Sequence, residues 1–207
     1  MRQLLLINPN TSVAVTQVLL QHRRGPAAAP AAYQWLGATA AFGAPYIADE
    51  RSYCIAGHAV LDAWERAQAD APAGGYDAVL VGCFGDPGWH ALQHMAGVPV
   101  WGLAEAAVRA MAMPGVQRLA VVTGGAAWQP MLERWSRAAG YHPSAQGPLQ
   151  ITAITALPAN GAQMMQSPDH AAQVLAQACM DSLEQADAVL LGGAGLAGMG
   201  ARVRALT

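Results

Sequence analysis

The hydrophobic residues of this chain form short continuous runs, and the residues between them are glycine, proline and polar side chains. Such runs are typical of buried parallel strands, and we expect strands over Arg2–Ile7, Tyr33–Thr39, Ala78–Val81, Val98–Gly102, Leu119–Val122 and Ala188–Leu191. Apolar residues at helical spacing predict helices from Thr11 or Ser12 to His22, and over Asp49–Gln68, Trp89–Met95, Glu105–Met113, Trp128–Ala139 and His170–Gln185. A Gly-, Pro- and Ala-rich connection is expected over residues 25–32. Alternating strands and helices predict an α/β fold whose parallel sheet is covered on both faces.

An internal repeat refines this prediction. Residues 76–88 read YDAVLVGCFGDPG and residues 186–198 read ADAVLLGGAGLAG. A weaker echo pairs QLLLINPNT at 3–11 with RLAVVTGGA at 118–126. We therefore expect two similar Rossmann-like domains with pseudo-two-fold symmetry, over residues 1–96 and 97–207. Ligands bind at the carboxyl ends of parallel strands, so the loops at 8–12, 82–88, 123–126 and 192–198 are expected to line an interdomain cleft.

Composition and charge exclude several classes of function. The 207 residues are 54% hydrophobic with a formal net charge of -2 and no run of like charges, so neither nucleic acid nor an anionic membrane is an expected partner. Every basic residue counted as Lys+Arg is arginine, which excludes pyridoxal Schiff-base chemistry and a P-loop lysine. The apolar run at the start is too short for a signal peptide, and three widely spaced cysteines are expected as free thiols in the cytoplasm. His90 and His94 share a helix face, but no third ligand accompanies them, so no metal site is expected.

The most informative difference between the two copies of the repeat is Cys83, which corresponds to Gly193. Cys83 ends a predicted strand and precedes a helix, where backbone N–H groups and the helix dipole can lower the pKa of a thiol toward neutrality. On that interpretation Cys83 is a usable base or nucleophile. A small buried hydrophobic residue is the alternative, and the spacing alone leaves both open.

Four segments resemble the aspartate/glutamate/hydantoin racemase superfamily, and most closely its hydantoin and allantoin racemase branch: INPNTS at 7–12, GCFGDPG at 82–88, VTGG at 122–125 and LGGAGLAG at 191–198. The resemblance implies two similar α/β domains around one site, with no metal and no organic cofactor. It implies a small-molecule substrate, namely a hydantoin, allantoin or an amino acid. In this superfamily one cysteine removes the proton α to a carbonyl, and a second cysteine returns a proton to the opposite face.

Carried over by position, Cys83 matches the first catalytic cysteine. The substrate-binding positions implied by the resemblance are Asn8, Pro9, Asn10, Thr11, Phe84, Gly85, Thr123, Gly124, Ala194 and Gly195. Gly193 stands where the superfamily has its second cysteine, and glycine carries no ionisable group. Water or another residue replacing that thiol, an altered protein, or a one-sided reaction would each fit.

Three functions are compatible with a glycine at position 193 in place of the second cysteine. The first is racemase-type isomerisation, with activity impaired at Gly193. The second is decarboxylation of malonate-type substrates by a single cysteine, and the third is binding of a small molecule without efficient turnover. The resembling enzymes continue beyond residue 207 to complete a sheet, so an open sheet edge and a homo-oligomer are also expected.

Overall fold

The computed structural model describes residues 1–22 and 33–207, so the connection predicted over residues 25–32 lies outside the described residues. The chain divides into two compact units, Met1–Leu103 and Ala104–Thr207. Each unit contains one sheet of parallel strands with helices between them. The α/β prediction is therefore confirmed, together with the prediction of two similar parallel-sheet units.

The first unit has a sheet in the order β2-β1-β3-β4. Its elements are β1 (Arg2–Asn8), α1 (Val13–His22), β2 (Tyr33–Thr39), α2 (Glu50–Ala69), β3 (Ala78–Val81), α3 (Trp89–Met95) and β4 (Val100–Gly102). Asp49 starts α2 through a capping box, because its Oδ1 accepts from the N–H of Ser52 at 2.7 Å. Side chains of β1 and β3 pack with Val60, Trp64 and Leu92 in one buried cluster, which holds α2 and α3 against the sheet.

The second unit follows the same plan with the order β6-β5-β7. Its elements are α4 (Leu103–Ala110), β5 (Arg118–Gly124), α5 (Trp128–Ala138), β6 (Gln150–Leu157), α6 (Gly161–Met164), α7 (Pro168–Ser182), β7 (Ala188–Leu191) and α8 (Met199–Arg204). Short 3-10 turns lie at Pro143–Ala145 and Ala194–Leu196. Leu175, Met199 and Val203 pack with Val122 in a buried cluster that joins α7 and α8 to the sheet.

In each copy of the repeat, an aspartate just before a strand makes the same pair of hydrogen bonds to the first strand of its unit. In the first unit, the N–H of Asp77 donates to the carbonyl of Gln3 at 2.7 Å, and Asp77 Oδ2 accepts from the N–H of Gln3 at 2.6 Å. In the second unit, the N–H of Asp187 donates to the carbonyl of Arg118 at 2.8 Å, and Asp187 Oδ2 accepts from the N–H of Arg118 at 2.8 Å. Each aspartate therefore fixes the register at which a later strand joins the first strand of its unit.

Two features differ from the sequence predictions. Strand β6 was not predicted, because its alternation of apolar residues with Gln150, Thr152 and Thr155 describes a half-buried edge strand rather than a continuous apolar run. The first unit also extends past residue 96, since β4 pairs in parallel with β3. No helix within residues 1–22 and 33–207 combines the length and the apolar character that a membrane span requires.

Candidate active site

In each unit, a hydrogen bond just beyond the strand ends brings two predicted loops side by side. The N–H of Gly82 donates to the carbonyl of Ile7 at 2.7 Å, which places the loop after β3 against the loop after β1. The N–H of Gly192 donates to the carbonyl of Val122 at 2.8 Å in the second unit. The predicted site residues of each unit therefore gather at the carboxyl edge of its sheet, as expected for a parallel sheet.

Cys83 lies within the first of these loops and is buried, with 7% of its surface exposed. Burial raises the pKa of the Cys83 thiol above the ordinary value of 9.0, and the negative charge of Asp86 raises this pKa further. Of the two interpretations that the spacing left open, the burial agrees with a small buried residue, and the pKa shift is opposite to the one that the helix dipole was invoked to give. Two N–H groups of this loop are used inside the turn: those of Asp86 and Trp89 donate to the carbonyls of Cys83 and Asp86, at 3.1 and 3.3 Å.

The loop after β1 is organised by Asn8, whose side chain is fully buried. Its Nδ2 lies 2.9 Å from Asn10 Oδ1, 2.9 Å from the carbonyl of Ser12 and 3.0 Å from Thr16 Oγ1. Its Oδ1 accepts from the N–H of Asn10 at 3.3 Å. Asn8 thus shapes the loop from within, and of the four positions of this loop assigned to substrate, the half-buried Thr11 is the most accessible.

Phe84 and Gly85 continue the Cys83 loop and are buried with it. Pro9 and Asn10 are likewise buried at the end of β1. The hydroxyl of Tyr53, on α2, donates to the carbonyl of Gly85 at 2.5 Å. This contact holds the loop against α2.

In the second unit, Gly193 lies next to Thr123. A Cβ on Gly193 would lie 3.2 Å from Thr123 Oγ1 and 3.7 Å from the side chain of Leu196. The turn around Gly193 is closed as it is around Cys83, because the N–H of Leu196 donates to the carbonyl of Gly193 at 2.9 Å. The backbone nevertheless differs: Gly193 has φ +120° and ψ 121°, whereas Cys83 is not among the described residues with positive φ.

The remaining predicted positions of the second unit lie around the same turn. Ala194 and Gly195 belong to the 3-10 turn after Gly193. Gly124, at the end of β5, packs against the loop after β6, since a Cβ there would lie 2.7 Å from the carbonyl of Ala159. Thr123 is buried, with 3% of its surface exposed, so its hydroxyl is held in place beside Gly193.

Sequence reasoning missed three groups that support these loops. One is Tyr53, and another is Ala44, whose carbonyl accepts from the N–H of Thr11 at 3.1 Å. The third is the loop after β6, where the carbonyls of Leu157 and Ala159 accept from the N–H of Gly125 at 2.8 and 3.0 Å. The signal for the third was present in the sequence LPANG at 157–161, which is a turn composition immediately after a strand.

Two cavities of the second unit are lined mainly by residues of β6, α7 and the segment between them. One, of about 470 Å³, runs between β6 and α7, and the other, of about 310 Å³, lies beside Met164 and His170. None of the predicted site residues lines either cavity. Within residues 1–22 and 33–207, no three His, Cys, Asp or Glu side chains come together as a metal-binding group.

Comparison with known proteins gives a consistent assignment. The model of the Asp/Glu/Hydantoin racemase family matches residues 4–207. A hydantoin racemase of Pseudomonas sp. (strain NS671) is 27% identical over 194 residues, which cover 93% of this chain and 73% of that protein. A hydantoin racemase of Paenarthrobacter aurescens is 27% identical over 199 residues, covering 95% and 79%.

A solved structure agrees with these sequence matches. Allantoin racemase from Klebsiella pneumoniae superposes with a TM-score of 0.84 at 25% identity, covering 100% of this chain and 80% of that one. The family match spans nearly all of the sequence, including both copies of the repeat. The chain therefore belongs to the Asp/Glu/Hydantoin racemase family.

Proposed function

We propose that this chain is a racemase-type isomerase without an organic cofactor, in which the thiol of Cys83 transfers a proton at the carbon α to a carbonyl. The observation that supports this most directly is the place of Cys83. Cys83 follows β3, and Gly193 follows β7 at the matching position of the repeat. Of these two residues only Cys83 has an ionisable side chain. The sequence matches to hydantoin racemases support the same class of reaction.

The raised pKa decides which protonation state Cys83 has at rest. Burial and Asp86 both favour the neutral thiol, so the resting sulfur carries the proton that it can donate. Donation requires a carbanion at the α carbon: its electron pair takes the proton, the S–H bond breaks, a C–H bond forms, and a thiolate remains whose high pKa makes it a strong base. With an intact substrate the exchange starts from the fraction of Cys83 that is thiolate. That thiolate takes the α proton, and the electron pair of the broken C–H bond moves into the carbonyl as an enolate.

The substrate class follows from the acidity that this chemistry requires. A thiol-based exchange needs a C–H bond that is acidified by an adjacent carbonyl, as in hydantoins, allantoin and α-amino acids. The positions carried over from the family resemblance are proposed to bind such a molecule through the loops after β1 and β3 and, in the second unit, the loops after β5 and β7.

The test is deuterium incorporation at the α carbon of hydantoins, allantoin, aspartate and glutamate in D2O. The unmodified chain is expected to label at least one of these compounds. Cys83→Ala is expected to lose at least about 100-fold in exchange rate, the usual minimum contribution of a positioned acid or base. Cys54→Ala, which removes an exposed thiol of the same unit, is the matched control and is expected to keep the rate. Equal labelling by Cys83→Ala would overturn the proposal.

A second candidate is decarboxylation of substituted malonates, and the glycine at position 193 is the observation that favours it. After loss of carbon dioxide, a single thiol suffices to protonate the carbanion, and the neutral form of Cys83 is the form that does so. This candidate predicts release of carbon dioxide from substituted malonates with one product enantiomer. A chain that exchanges α protons but releases no carbon dioxide from any malonate would exclude it.

A further inference from the structure

Asp86 is a carboxylate placed inside the Cys83 loop under unusual constraints. Its surface is 5% exposed, and its backbone adopts φ +55°, which is uncommon for a residue with a side chain. Its N–H closes the turn on the carbonyl of Cys83 at 3.1 Å. The equivalent position in the second copy of the repeat is Leu196, so the carboxylate occurs only in the copy that carries the thiol.

The end of β4 provides the space that this carboxylate occupies. A Cβ on Gly102 would lie 2.7 Å from Oδ1 of Asp86, and closer still to its Cγ and Oδ2. Real Cβ atoms do not approach neighbours so closely, so any larger residue at position 102 would displace the carboxylate. Gly102 therefore fixes where the charge of Asp86 stands.

Other ionisable groups on the elements around the loop have contacts of their own. The buried Glu105, on α4 just after Gly102, pairs with Arg109 at 2.6 Å. Tyr53 donates its hydroxyl to the carbonyl of Gly85. The ring of His58 packs on Phe42 with centroids 5.1 Å apart, and the ring of His90 packs on Trp89 at 4.6 Å. Asp86 is the acidic residue of the Cys83 loop itself, three positions along the same turn and buried with the thiol.

We propose that Asp86 is the positioning residue that sets the acid–base behaviour of Cys83, and that Gly102 leaves the space that its carboxylate needs to do so. A buried negative charge beside a buried thiol opposes formation of the thiolate. Asp86 thus keeps Cys83 as a proton donor at rest and makes the thiolate more basic once it forms. The catalytic meaning of this effect rests on the function proposed for Cys83, whereas the effect on the thiol itself does not.

The test is the rate of alkylation of each cysteine by iodoacetamide, followed by peptide mass spectrometry. Thiolate is the reactive form, and lowering a pKa by one unit raises the thiolate fraction about tenfold below that pKa. Lower nucleophilicity offsets part of this gain, so Asp86→Asn is expected to speed alkylation of Cys83 about threefold or more. Cys54 and Cys179 in the same molecule are internal standards and should keep their rates.

Two further variants sharpen the result. Gly102→Ala displaces the carboxylate without removing it and is expected to speed Cys83 alkylation in the same direction. Asp70→Asn removes an exposed carboxylate at the other end of α2 and is expected to change nothing. An unchanged Cys83 rate in Asp86→Asn, or an equal rise at all three cysteines, would overturn the proposal. If Asp86→Asn does not fold, Gly102→Ala carries the same test.

Catalysis gives an independent readout. In Asp86→Asn the rise of the α-proton exchange rate with pH, which follows formation of the Cys83 thiolate, is expected to move to lower pH. A merely structural role would lower the rate at every pH without moving this rise, and that result would overturn the positioning role. If Cys83→Ala retains exchange, the function proposed for Cys83 fails, while the alkylation result still decides whether Asp86 controls the thiol.

Discussion

Replacing Gly193 by alanine or cysteine tests whether the second loop is built for glycine. At φ +120° and ψ 121°, the backbone at Gly193 lies where residues with a Cβ are strained, at a cost of about 1–3 kcal/mol. A Cβ there would also approach Thr123 Oγ1 to 3.2 Å, which requires that buried hydroxyl to move by a few tenths of an ångström. We expect both substitutions to destabilise the chain by about 2 kcal/mol.

Thermal unfolding followed by circular dichroism measures this cost. For a chain of this size, about 2 kcal/mol corresponds to a fall in Tm of roughly 4–8 °C. Gly200→Ala is the matched control, because Gly200 lies in α8 with an ordinary φ and no atom within 4 Å of a Cβ. It is expected to leave Tm unchanged or to raise it slightly.

The cysteine variant can also be tested for a change in racemisation rate. Gly193→Cys supplies a thiol at the position where the family resemblance expects the second one, so it is expected to raise racemisation of hydantoins or allantoin, while Gly193→Ala is not. Unchanged Tm in both variants would refute the argument from backbone strain. Equal racemisation by the alanine and cysteine variants would refute the role assigned to the missing thiol.

The remaining predictions concern stability. Arg118 hydrogen bonds, followed by backbone N–H groups, lower the pKa of Asp187 from 3.8 to about 2. Because the pKa of Asp187 is lower in the folded than in the unfolded chain, its ionised form stabilises the folded chain at pH values above 3.8. Asp187→Asn should therefore lower Tm at neutral pH, and the difference in Tm should vanish as the pH falls from 3.8 toward 2. A difference in Tm that does not depend on pH would contradict this. Gly88→Ala should cost at least about 2 kcal/mol in urea unfolding, because φ is +73° and a Cβ would lie 2.5 Å from the carbonyl of Gly57. Gly97 has a similar φ of +69°, but a Cβ there would have no neighbour within 4 Å. If Gly97→Ala loses as much stability as Gly88→Ala, the clash with Gly57 is not the cause.

Local patterns in the sequence were sufficient for the strand-loop-helix plan. The runs Ala78–Val81 and Ala188–Leu191 were predicted as strands with these bounds, and both join the first strand of their unit in parallel. The similarity between the two copies predicted that Cys83 and Gly193 would follow equivalent strands. Hydrophobic runs and helical periodicity are patterns of neighbouring residues, so a single sequence reveals them.

The chemistry of the loops was less accessible because it depends on contacts distant in sequence. The pKa of Cys83 is set by how deeply the loop is covered, and the position of Asp86 depends on Gly102 at the end of another strand. Neither is encoded in the local spacing. The interdomain site, a homo-oligomer and a cytoplasmic location stay predictions.

Enantiomer-resolved deuterium exchange tests the central claim most directly, namely that the thiol of Cys83 is the proton-transfer group and has no counterpart at Gly193. Each enantiomer of a labelled compound would be incubated separately in D2O with the unmodified chain and with Cys83→Ala, and both deuterium content and inversion would be measured. A single thiol predicts that one enantiomer gains deuterium faster than it inverts, and that Cys83→Ala abolishes this exchange. Inversion as fast as exchange for both enantiomers, or exchange that survives in Cys83→Ala, would contradict the claim.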